Sequence, residues 1–87
     1  MSYLTNVNKE IVVNSVYFGN NGSKLKSYPK EIVCDGKTYT FNDGLQLIVN
    51  KGNELVKIFC MNDGISNYRI KQDVNTNIWT LKTIANR

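Results

Sequence analysis

The residues best equipped for chemistry in this chain are its cations. Lys24, Lys26 and Lys30 crowd one polar stretch beside Tyr28. Arg69 and Lys71 alternate along a later run, and Lys82 falls on the same face if that run pairs with the next one as neighbouring strands. Cations meet phosphate and an adjacent ring stacks on a base. The set therefore predicts a surface for single-stranded nucleic acid made of Lys24, Lys26, Tyr28, Lys30, Arg69, Lys71 and Lys82. The bland reading of the same residues is a solvated polar face. An acidic protein partner would use the same charges.

Catalysis has little to draw on. The chain has no histidine, which removes the usual neutral-pH base and the commonest metal ligand. Of seven carboxylates, Asp35, Asp43 and Asp63 each stand directly before a glycine, where aspartate is selected for turn geometry. Asn62-Asp63-Gly64 and Asp73-Val74-Asn75-Thr76-Asn77 are too sparse in oxygen ligands for a calcium loop. The glycines form no phosphate-binding pattern. The expectation is a non-enzymatic chain without metal or cofactor.

The elements that must position the cations read as strands. Asp35-Gly36, Asp43-Gly44, Lys51-Gly52 and Asp63-Gly64 separate β-branched and aromatic runs, as turns do in an all-β protein. Lys9 to Phe18 reads as a strand, with a short N-terminal helix as the competing expectation. Residues 19–30 read as a mobile polar loop. A two-residue turn at Asp35-Gly36 sets Cys34 against Lys37 and Ile32 against Tyr39. Across Lys51-Gly52 the pairing gathers Leu45, Leu47, Val49, Val56, Ile58 and Cys60 on one face. The opposite face is apolar too, so both strands are expected to be central and covered on two sides. Trp79 and Leu81 are expected opposite Ile70 and Tyr68.

The sum is one small β domain over residues 1–87, a meander of about six antiparallel strands curling into an open barrel or roll. In size and strand count it resembles SH3-like and OB-like barrels, a likeness of architecture that carries no activity. A net charge of +4 favours an acidic partner. A homodimer through an exposed edge strand near the N-terminus is the alternative. No apolar run approaches the roughly 18 residues of a membrane span, and residues 1–6 lack the pattern of a signal peptide. A cytoplasmic chain is therefore expected, with Cys34 and Cys60 as free thiols.

Overall fold

A computed structural model describes residues 3–21 and 24–86, with residues 3, 20, 21 and 24 described by backbone alone. Seven strands follow one another: β1 (Tyr3–Asn21), β2 (Lys24–Cys34), β3 (Lys37–Thr40), β4 (Asp43–Lys51), β5 (Glu54–Asn62), β6 (Ser66–Asp73) and β7 (Ile78–Asn86). All are antiparallel and form one sheet in the order β3-β2-β1-β7-β6-β5-β4. Read as a circle, that order is simply chain order, with one ladder missing between β3 and β4. The sheet is therefore not closed. Across the gap the chain itself runs through Phe41 and Asn42. The Phe41 N–H donates to the Lys30 carbonyl at 2.9 Å, and the Asn42 N–H donates to the Asn62 carbonyl at 2.8 Å. Neighbouring backbone amides thus bind the two sides of the opening. The Gln46 side chain adds a third tie, with Nε2 donating to the Ser27 carbonyl at 2.9 Å.

The all-β expectation holds, with seven strands where about six were expected and no helix among the described residues. Residues 9–18 are strand because Ile11, Val12, Val13 and Val16 suit a pleated surface and because β1 is paired on both sides. Its first half lies against β7 and its second half against β2. The loop expected over 19–30 is instead a hairpin: Tyr17 pairs with Tyr28, Gly19 with Lys26, and Asn21 with Lys24. Its polar composition reflects strand faces turned to solvent. The Asp35-Gly36 hairpin has the expected register. Both turn residues take positive φ, 52° and 75°, as a type I′ turn requires. Asp43-Gly44 is no turn tip. It opens β4, and Gly44 is there for space. A Cβ at that position would overlap Met61 Sδ and lie 2.8 Å from the Cys60 carbonyl oxygen.

The last strand is displaced from expectation. Leu81 lies opposite Ile70, and Trp79 lies opposite Gln72. The cause is Asp73, which stays in β6 and organises a tighter turn. Its carboxylate accepts the N–H groups of Asn75 (3.0 Å) and Thr76 (3.3 Å), and its carbonyl accepts that of Asn77 (2.7 Å).

Inward-facing side chains from both ends of the sheet make one core, which includes Ile11, Ile32, Phe41, Phe59, Met61, Ile70 and Leu81. Rings connect the ends. Tyr17 stacks on Tyr28 at 5.3 Å, Tyr28 meets Phe59 edge-on at 6.3 Å, and Phe59 stacks on half-buried Trp79 at 5.2 Å. A second group joins Tyr39 and Phe41 to Tyr68, at 5.4 and 5.0 Å. Packing of this kind predicts that Phe59→Ala lowers stability by about 3–5 kcal/mol. Gly44→Ala should destabilise although it only adds a methyl, because backbone and a buried thioether occupy the space. Chemical denaturation of the two variants checks both; an unchanged midpoint for either contradicts the packing.

Candidate functional site

The sheet has one covered face. Turned outward on β4 are Leu45, Leu47 and Val49, which remain 64%, 57% and 39% exposed. Their cross-strand partners on β5 are Cys60, Ile58 and Val56. Those partners face in turn Arg69, Lys71 and Asp73 on β6. The outer face is therefore ordered in rows: Leu45–Cys60–Arg69, Leu47–Ile58–Lys71, Val49–Val56–Asp73. Sequence reasoning grouped these apolar residues correctly but expected both sides of the strands to be covered. The opposite is found because β4 is an edge strand and no second layer lies over this face. The inner face holds Phe59, Met61 and the buried Gln46.

At one end the outer face is hollowed. A concavity of about 380 Å³ is lined by Cys60, Arg69, Thr83, Ala85 and Leu4, among others. A shallower one adjoins it over Leu45 and Asn62, again bordering Cys60.

The cations named from the sequence do not form one surface. Arg69 is exposed and Lys71 half-exposed on the outer face of β6. Lys82 is half-buried and has no cross-strand partner on β6. It is the extra residue of a β-bulge, between Leu81, which pairs with Ile70, and Thr83, which pairs with Arg69. The same bulge interrupts the β1 ladder, where Asn8 takes a φ of 52°. Thr83 thus occupies the place expected for Lys82. Tyr28 is only 5% exposed, held between Tyr17 and Phe59. It belongs to the core and offers no platform for a base. Lys30 is half-buried and committed: its Nζ donates to the Phe41 carbonyl at 2.7 Å and lies 5.9 Å from the Tyr17 ring centre. Lys26 is half-buried opposite Gly19. Lys24 pairs with Asn21 by backbone, and its side chain lies outside the described residues.

Among the described residues one ion pair is present, between Lys9 and Asp35. No described carboxylate lies within ion-pair distance of Arg69 or Lys71. No group of histidine, cysteine and carboxylate side chains with metal-binding geometry occurs among the described residues. Both cysteines are free. Cys34 faces the core and Cys60 the outer side, so the sheet separates them. Burial pushes the Cys34 thiol up from its ordinary value, and Asp35 adds to the effect.

The β5–β6 turn beside the concavity is held by Asp63. Its carboxylate accepts the Tyr68 hydroxyl at 2.7 Å and the N–H groups of Ser66 (2.7 Å) and Ile65 (2.9 Å). Desolvation pushes the Asp63 carboxyl up, but these hydrogen bonds outweigh it and leave it below its usual range. Burial, then the hydrogen bond to Asp63, pushes the Tyr68 phenol well above its usual range.

No protein family matches this chain, and no curated protein or solved structure matches it.

The turn has a pH signature. A lowered carboxyl contributes stability that is present above the ordinary carboxylate range and lost as pH falls through the lowered value. A raised phenol contributes stability that is present below pH about 10 and lost as pH rises further. Tyr68→Phe should therefore cost about 1 kcal/mol at neutral pH. Its deficit should shrink in acid, once Asp63 is protonated, and again above pH about 10, where the wild type weakens. Melting curves of both proteins from acid to alkaline pH check this; a deficit independent of pH contradicts it.

Proposed function

We propose that this chain is a non-enzymatic protein-interaction module built on an open barrel, with the outer face of β4 and β5 as its binding surface. One observation carries the reading: three cross-strand apolar pairs, Leu45–Cys60, Leu47–Ile58 and Val49–Val56, lie side by side with no layer over them. Contiguous apolar surface of this kind on a small domain marks an interaction site. β4 is also a sheet edge, the place where a further chain can add main-chain hydrogen bonds.

Magnitudes define the contact. Leu45, Leu47 and Val49 are already about half covered, so burying the rest yields on the order of 1 kcal/mol each. Association costs at least about 4 kcal/mol in lost freedom. A partner must therefore gain from the neighbouring rows as well. Nucleic acid is the weaker reading. Arg69 and Lys71 suit phosphate, but the aromatic side chains of the same strands, Phe59 and Tyr68, are buried in the core, and the Leu, Val and Ile of the outer rows offer nothing for a base to stack on.

A photo-crosslinking amino acid at position 47, in cells that produce the chain, tests the surface. A discrete protein adduct is expected there and not from the exposed turn position Asn75. Adding Leu45→Asp should abolish the adduct while leaving stability within about 0.5 kcal/mol. No adduct at position 47 overturns the reading. So does salt-sensitive binding of a labelled single-stranded oligonucleotide that Arg69→Glu abolishes.

A further inference from the structure

The same face specifies the chemistry of its partner. Resting on the reading above, we propose that it takes an acidic amphipathic peptide segment, with apolar side chains over Leu45, Leu47 and Ile58 and carboxylates against Arg69 and Lys71. Two independent observations meet in this assignment. One is the uncovered apolar pairs. The other is a pair of cations in the adjoining strand, with no described carboxylate at ion-pair distance from either. The ladder fixes their relation: Arg69 is opposite Cys60, and Lys71 is opposite Ile58. Strands lie about 4.8 Å apart, so each cation stands roughly 10 Å from the β4 leucine of its row. A partner with an apolar stripe and a flanking row of carboxylates at that spacing satisfies both.

The concavity sharpens the fit. Its walls join Cys60, Ala85 and Leu4 to Arg69. One apolar side chain of the partner fills it with a carboxylate beside the guanidinium. Buried apolar anchors next to arginine are where binding energy concentrates at protein interfaces.

The other occupants fit less well. A second copy brings a net charge of +4 and the same two cations to the contact. An anionic bilayer is gripped by interfacial rings and clusters of basic residues, and the rows on β4 to β6 hold no ring and two cations. Nucleic acid would leave the apolar pairs without a role.

Selection of the full chain against a random peptide display library tests the proposal. Enriched peptides should interleave Asp or Glu with large apolar residues. A synthetic consensus peptide should bind in a salt-sensitive way. Leu47→Asp should abolish its binding. The double variant Arg69→Glu, Lys71→Glu should weaken it by about tenfold or more, since two exposed attractions become repulsions. A peptide with every acid changed to Lys should prefer that double variant. Unchanged melting temperatures show that the variants fold. Neutral or basic consensus peptides that need Leu47 but ignore the double variant overturn the acidic partner and leave the interaction face standing. Absence of any enriched peptide, together with no adduct at position 47, overturns both. Concentration-dependent sedimentation abolished by Leu47→Asp assigns the face to a second copy. Co-sedimentation with phosphatidylglycerol vesicles abolished by the same change assigns it to a membrane. Either result overturns the peptide.

Discussion

The interior rings hold together a sheet that its own ladders do not close. Seven strands leave one gap, between β3 and β4. Backbone hydrogen bonds cross it only at Phe41 and Asn42 among the described residues. What keeps the two ends from opening is the line Tyr17–Tyr28–Phe59–Trp79, which runs from β1 and β2 on one side to β5 and β7 on the other, and the cluster of Tyr39, Phe41 and Tyr68. Each pair adds roughly 0.5–1.5 kcal/mol beyond the area it buries. For a domain of this size that is a large part of the total margin. The clasp at Lys30 belongs to the same constraint. Its ammonium ties β2 to the corner residue Phe41 and lies over Tyr17, the first ring of the line.

This arrangement explains why one face remains available. A single sheet wrapped on one core buries inner positions such as Gln46, Phe59 and Ile70 and leaves the outer ones to solvent, although toward the far end of β4 the inner-side Ile48 is also 54% exposed. The inner positions of β5 are filled by Phe59 and Met61, which meet β2, β7 and the start of β4. Nothing is left in the described chain to lie over Leu45, Leu47 and Ile58. Their apolar character therefore has no account in the fold itself. Where β1 and β7 continue the rows of Arg69 and Lys71, at Asn6, Glu10, Thr80 and Thr83, the residues are polar, whereas Leu4, Val12, Val16, Phe18 and Leu25 are further exposed apolar residues on β1 and β2.

Much of this architecture was legible in the sequence, and the misreadings have physical causes. The turns at Asp35-Gly36 and Gly52-Asn53, the second one residue beyond the expected Lys51-Gly52, fix register locally, because a two-residue loop allows one pairing. Sheet position is not local. Strands apolar on both faces read as central, and only the corner at Phe41-Asn42 makes β4 an edge. The segment 19–30 looked like a loop because lysine, serine and asparagine outnumber its apolar residues. Yet Tyr28 and Pro29 are buried there, enough to pin one side of a hairpin. The position of Lys82 was misread for a similar reason. Period-two counting carries Lys82 to the face of Arg69, but a single bulge shifts every later side chain of β7 by one position.

That bulge limits what the outer face can do by charge alone. With Thr83 opposite Arg69, the rows present Arg69 and Lys71 as cations, while Asp73 at the end of the same strand and Glu10, opposite Thr80 on β1, carry the opposite sign. Two phosphate contacts on a single strand correspond to a salt slope of only about 1.4, too shallow to carry nucleic-acid affinity at physiological salt. Two cations are sufficient, however, to orient a ligand whose affinity comes from elsewhere, because complementary charge sets specificity and encounter more than strength. In the proposed interaction, the apolar pairs of β4 and β5 are that other source. On the proposed reading, electrostatics on this face selects among partners, and hydrophobic contact holds the one selected.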